Sequence, residues 1–100
     1  MQRLVEQPSG DGEIFAGSMS LGNAHYHLSV YQHFSGSEDV DVPANVEVEG
    51  HLRPRGVDIA ELHRRGSELT LRLSDGRALD FSFIDGDGRL RSPGRQLYQP

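Results

Sequence analysis

Between residues 24 and 34 the side chains sort by parity. Tyr26, Leu28, Val30 and Phe34 fall on one side, and His25, His27, Ser29, Tyr31 and His33 on the other. A helix, turning every 3.6 residues, scatters two such sets around its circumference; the two-residue period of a strand keeps them apart. This segment is therefore a strand with one dry face and one wet face, and other strands must wall in the same dry space.

Four more segments carry that alternation. In 13–21, Phe15, Gly17, Met19 and Leu21 oppose Ile14, Ala16, Ser18 and Ser20, and Gly22-Asn23 supplies a two-residue turn. In 45–53, Val46, Val48, Gly50 and Leu52 oppose Glu47, Glu49, His51 and Arg53, with Gly50 marking a bulge or sharp bend. Leu69, Leu71 and Leu73 form one arm of a hairpin and Leu79, Phe81 and Phe83 the other, turning at Ser74-Asp75-Gly76-Arg77. Arg89-Leu90-Arg91 begins a short sixth strand. Residues 58–65 read as a helix: Asp58 caps it, Glu61 follows three residues later, Arg64 and Arg65 oppose the negative end of the dipole, and Gly66 stops it. Two turns do not stand alone in water, so this helix rests on the sheet. Residues 1–12, with Pro8-Ser9-Gly10-Asp11-Gly12, read as a flexible tail. Residues 35–44 read as an acidic loop, and 92–100 as irregular.

Each of these five strands has one apolar and one polar face, so the apolar faces meet. The fold expected is all-β with one short helix: a small antiparallel β-barrel or two-layer curled sheet of five to six strands, the helix lying between strands 3 and 4. Three strands, a helix and two strands is also the element order of the OB-fold, an agreement of order alone. One hundred residues suit a single domain, here 13–100.

Composition narrows the chemistry. There is no cysteine, which removes disulfides, thiolate catalysis and Cys-based metal sites. The formal charge is -5, which opposes nucleic acid and anionic membranes unless cations gather on one face. All ten cations are Arg; because they are scattered and not clustered in one motif, they read as the codon bias of a GC-rich genome rather than as selection for bidentate anion recognition. Nothing approaches the ~20 apolar residues that span a bilayer. The N-terminus has no apolar signal region, so a cytoplasmic location is expected.

His25 and His27 share a strand face and are weak candidates for a metal pair. A third ligand is lacking, since His33 lies roughly 20 Å farther on and His51, Glu47 or Glu49 would have to reach across. No cofactor is expected. Asp85-Gly86-Asp87-Gly88 is turn chemistry, because no closing Glu follows to complete a calcium loop. Arg53, Arg55, Arg64 and Arg65 form a candidate basic patch, with Arg89, Arg91 and Arg95 a second gathering. Single-stranded nucleic-acid binding needs exposed aromatics, and Tyr31 alone lies on an outward face. No Gly-x-Ser-x-Gly, phosphate-binding glycine loop or His-Glu-x-x-His is present.

The expectation is a non-enzymatic protein-interaction or accessory module, binding another protein or itself through His25, His27, Tyr31 and His51. An OB-like single-stranded nucleic-acid binder is the second reading and a His-based metal-binding protein the third.

Overall fold

A computed structural model describes residues 2–35, 42–66, 68–93 and 96–100. The element order is β1 (Gln2–Glu6), β2 (Ser9–Ala16), β3 (Met19–Ser35), β4 (Val42–Arg55), α1 (Ile59–Arg65), β5 (Leu69–Arg72), β6 (Ala78–Phe83) and β7 (Arg89–Pro93). The protein is mostly β. Seven strands form one antiparallel sheet in the order β1-β3-β2-β5-β6-β7-β4, and β3 also pairs with β4, so the sheet nearly closes into a ring. The short helix lies between β4 and β5.

Seven strands replace the five to six expected, and the difference arises at the N-terminus. Segments 2–6 and 9–12, read as tail, lie in β1 and β2. β1 pairs with β3 through Gln2↔His33, Arg3↔Gln32 and Leu4↔Tyr31, and β2 continues along the same edge of β3 from Ser9↔His27 to Ala16↔Met19. Pro8 has no N–H to donate, so it interrupts the strand without ending the pairing; its carbonyl still accepts from Leu28 N at 2.9 Å.

The first hairpin is also placed differently. Residues 13–21 are not one strand ending at Gly22-Asn23. The chain turns at Gly17-Ser18, where Gly17 takes φ 63, and β3 begins at Met19. Glycine at the first central position suits a type II′ turn, whose twist matches the flanking strands. As a result Ile14 points into the core, Phe15 lies half-buried on the outer face and Met19 is 62% exposed. Of the segment read as the 35–44 loop, residues 42–44 belong to β4, and 36–41 lie outside the described residues. The C-terminal stretch is tied down at Tyr98, which exchanges two backbone hydrogen bonds with Ala78, at 2.7 and 2.9 Å.

The dry interior is where the alternation puts it. Tyr26, Leu28, Val30, Val48, Leu52, Leu69, Leu71, Leu73, Leu79, Phe81, Phe83 and Leu90 are buried together with Ile14 and Ile59. Tyr26 lies along Gly10 and Gly12, where a Cβ would stand 3.1 Å from its hydroxyl and from a ring carbon respectively, and that hydroxyl meets Ser74 Oγ at 3.1 Å. A fully buried tyrosine keeps its polar end satisfied in this way. Gly50 faces inward opposite Leu28 and Leu90, and a Cβ there would collide with the His27 carbonyl. It is a place where two backbones approach closely, as an isolated strand glycine suggests.

The helix follows its caps. The Asp58 carboxylate accepts from Glu61 N at 3.1 Å, and Gly66 is left-handed at φ 66. Glu61 reaches forward to Arg65 at 2.9 Å rather than back to the cap. Buried Ile59 anchors α1 to the core and the helix packs against β6.

Candidate functional site

Register assembles the outer face row by row, because residues paired across antiparallel strands point to the same side. One row runs Arg72, Glu13, Asn23, Arg55 across β5, β2, β3 and β4. The next runs Asp11, His25, Arg53 across β2, β3 and β4. The third runs Ser9, His27, His51, Arg89 and extends to β7. The β3–β4 ladder thus brings His25, His27 and His51 into one block, with Arg53 and Arg55 continuing the β4 column. The His25 and His27 rings meet edge to face with centroids 5.0 Å apart, and His25 Nδ1 lies 3.2 Å from an Asp11 carboxylate oxygen.

Tyr31 belongs elsewhere. It sits two rows away, between Leu4 of β1 and Glu47 of β4, and is half-buried. Here the outer face is closed by an internal network. The Glu47 carboxylate, 8% exposed, accepts from His33 Nε2 at 2.9 Å and from Arg91 Nε. The Arg91 guanidinium first, and the His33 ring after it, hold the Glu47 carboxyl below the usual range for a glutamate. His33 therefore has a structural partner.

The four arginines of the expected basic patch divide. Arg53 and Arg55 are exposed on the outer face of β4, without an ion-pair partner among the described residues. Arg64 and Arg65 lie in the last turn of α1, and Arg65 is paired with Glu61. Arg89 is held by Asp85 at 3.0 Å and Arg91 by Glu47; Arg95 lies outside the described residues. The Asp85 carboxylate also accepts from Asp87 N and Arg89 N, so that acid is committed to its own turn.

Two shallow grooves flank the block. One, of about 350 Å³, lies among Asp11, Glu13, Asn23, Arg55 and Arg72. The other, of about 380 Å³, lies among Ser29, Glu49, His51, Ile84 and Arg89. Both are open and lined by charge. Among the described residues no three or more His, Asp or Glu side chains gather in a metal-holding arrangement. No helix among them is long and apolar enough to cross a membrane.

Asp11 and Arg89 escaped the sequence reading of the site. Each is brought in by a strand distant along the chain, β2 for Asp11 and β7 for Arg89, and nothing local to either announces its row. The Arg77 clamp was equally silent: its guanidinium takes both carboxylate oxygens of Glu6, 71 positions away, and also Asp75. That pairing holds the Glu6 carboxyl down and raises Arg77. Comparison with protein-family models, with curated proteins and with solved structures gives no match to this chain.

Proposed function

We propose that the protein is a non-enzymatic interaction module whose outer β3–β4 face takes a segment of another protein. One observation carries this reading: His51, Arg53 and Arg55 form a column of exposed or half-exposed donors on β4, backed by His25 and His27 on β3, and among the described residues neither Arg53 nor Arg55 has an ion-pair partner. Alternate residues of a strand stand about 6.6 Å apart, the same repeat as the alternate side chains of an extended peptide. A partner strand with carboxylates at every second position matches the β4 column. Interfaces favour such donors, Arg above all, where planar recognition of carboxylate is needed.

The OB-like nucleic-acid reading has less support. Tyr26, Phe81 and Phe83 are buried, which leaves the block without an aromatic platform for bases. Asp11, Glu13 and Glu49 beside the block also repel a uniformly anionic strand.

Fluorescence anisotropy at low salt, with a labelled extended peptide carrying Glu at alternate positions, tests the proposal. Binding that weakens with added salt, and weakens further in Arg53→Glu and His51→Ala, is the expected result. Failure of the peptide to bind, or equal binding by wild type and both variants, removes it. Short single-stranded DNA and RNA go through the same titration, and binding of those alone would transfer the face to the nucleic-acid reading.

A further inference from the structure

Along the chain, His25 and His27 are one ligand short of a metal site; the register of β3 and β4 supplies it. β3 sets the two histidines on its outer face, two positions apart, and β4 sets His51 directly opposite His27. Opposed residues of an antiparallel pair carry their Cβ atoms about 4.5–5.5 Å apart. Three of the five histidines therefore share one patch, reached through two strands. The other two lie elsewhere: His33 is committed to Glu47, and His63 sits in the last turn of α1.

Two details of this patch suit a metal ion. The His25 and His27 ring centroids are 5.0 Å apart. Two imidazoles on one tetrahedral ion, with bonds of about 2.0–2.1 Å, place their centroids about 5 Å apart as well. The pair already has the right separation, and only the aim of the rings must change. The second detail is Asp11. A carboxylate only accepts, so at 3.2 Å it draws the proton of His25 onto Nδ1 and leaves the Nε2 lone pair free. A carboxylate behind a histidine in this way fixes the tautomer and orientation that a metal takes up. His27 is exposed and His51 half-exposed, so both rings turn freely about their terminal torsions. As they stand the three rings do not close on a common point.

We propose that His25, His27 and His51 turn inward to bind one divalent transition-metal ion on the outer face, with Asp11 as the positioning residue behind His25. Neutral imidazole nitrogen selects zinc, nickel or cupric ion over magnesium and calcium, which take oxygen ligands. Three protein ligands leave a position open to water. The charges nearby set a limit on affinity. Arg53 lies opposite His25 and Arg89 opposite His51; Asp85 offsets the second, and Asp11 stands in the row of the first. Binding is therefore weaker than at a closed four-ligand zinc site. The inference needs no peptide partner and stands apart from the proposed interaction.

The test uses the full chain without an affinity tag, stripped with chelator. Zinc chloride and magnesium chloride are titrated at about pH 7.5, where free imidazole is neutral, with calorimetry and histidine ring NMR as readouts. One zinc per chain is expected, with the ring signals of His25, His27 and His51 shifting together and those of His33 and His63 unmoved. Magnesium should give no response. His27→Gln and His51→Gln should each weaken zinc binding at least about tenfold, and Asp11→Ala about tenfold although it removes no ligand. His63→Gln should bind as wild type does. Circular dichroism checks that each variant is folded; if His27→Gln is not, His51→Gln decides. Absence of zinc uptake overturns the inference. So does undiminished binding by His27→Gln or His51→Gln, or a response centred on His33 or His63.

Discussion

The two ends of the β3–β4 ladder carry the same residue types on the same outer face and use them differently. At the end beside β1, the arm end, His33 and Arg91 both donate to the Glu47 carboxylate, in the row of half-buried Tyr31. At the ring end, His27 faces His51 and His25 faces Arg53; from β2, exposed Asp11 joins the row of His25 and half-buried Glu13 the row of Arg55, and among the described residues neither makes an ion pair with Arg53 or Arg55. A histidine or arginine on a strand face is therefore not a site by virtue of its type. What separates the ends is whether a carboxylate is drawn into contact with the cations, as Glu47 is with Arg91 and His33, or stays apart from them, as Glu13 does from Arg55. β4 brings Glu47 to the arm end; from His51 onward its outer face carries imidazole and then Arg53 and Arg55.

The largest effect should come from breaking the ladder beneath both ends. Leu52→Ala removes a fully buried side chain next to exposed Arg53 and is expected to cost about 2–5 kcal/mol in chemical denaturation. Gly50→Ala, at the close approach to the His27 carbonyl, should cost about 1–3 kcal/mol and loosen the ends together. Equal stability of Gly50→Ala and wild type would show that the strands are not this close.

Glu47→Ala sharpens the contrast by opening the arm end alone. It leaves His33 and Arg91 without their acceptor, and a loss of about 1–2 kcal/mol is expected from the two charge-assisted hydrogen bonds. The pH dependence points the same way. The folded Glu47 carboxyl is held below its ordinary value, so on acidification the unfolded chain binds its proton first. The stability it contributes is complete above about pH 4.5 and is lost as pH falls through the lower folded value. Glu6, held down by Arg77, acts in the same direction. Denaturation curves for Glu47→Gln should therefore show a shallower loss of stability below pH 4.5 than wild type. The smallest effect is expected at the ring end, where His51→Ala should alter stability by no more than about 0.5 kcal/mol. A loss as large as that of Glu47→Ala would mean that the block is a structural network too, and would erase the difference on which the proposed function rests.

Much of this was legible along the chain. The parity of residues 24–34 separates Tyr26 and Leu28 from His25 and His27, and the fold buries the first pair and exposes or half-exposes the second. The helix is equally plain, because Asp58 and Gly66 act on residues within one turn of themselves. The arginines Arg53 and Arg64 looked like neighbours because a linear reading counts separation along the chain. One is on a strand face and the other on a helix that packs against β6. The N-terminal strands were illegible for a related reason: Gly10, Gly12 and Pro8 have poor intrinsic strand propensity. They pair because β3 offers a long edge and the buried Tyr26 needs the space that two glycines leave.

By itself, then, the sequence determined which side of each central strand is dry, where the one helix starts and stops, and that the product is an antiparallel β fold without cysteine chemistry. Those properties depend on the periodicity of side chains and on caps that act across three or four residues. Only the tertiary structure decided that segments read as tail lie in two strands, that Asp11 and Arg89 join the histidine block, and that Arg77 in the β5–β6 turn holds Glu6 of β1. Each of those depends on which strand lies beside which and in what register, and the partners are held in place by contacts tens of positions apart that no local pattern encodes.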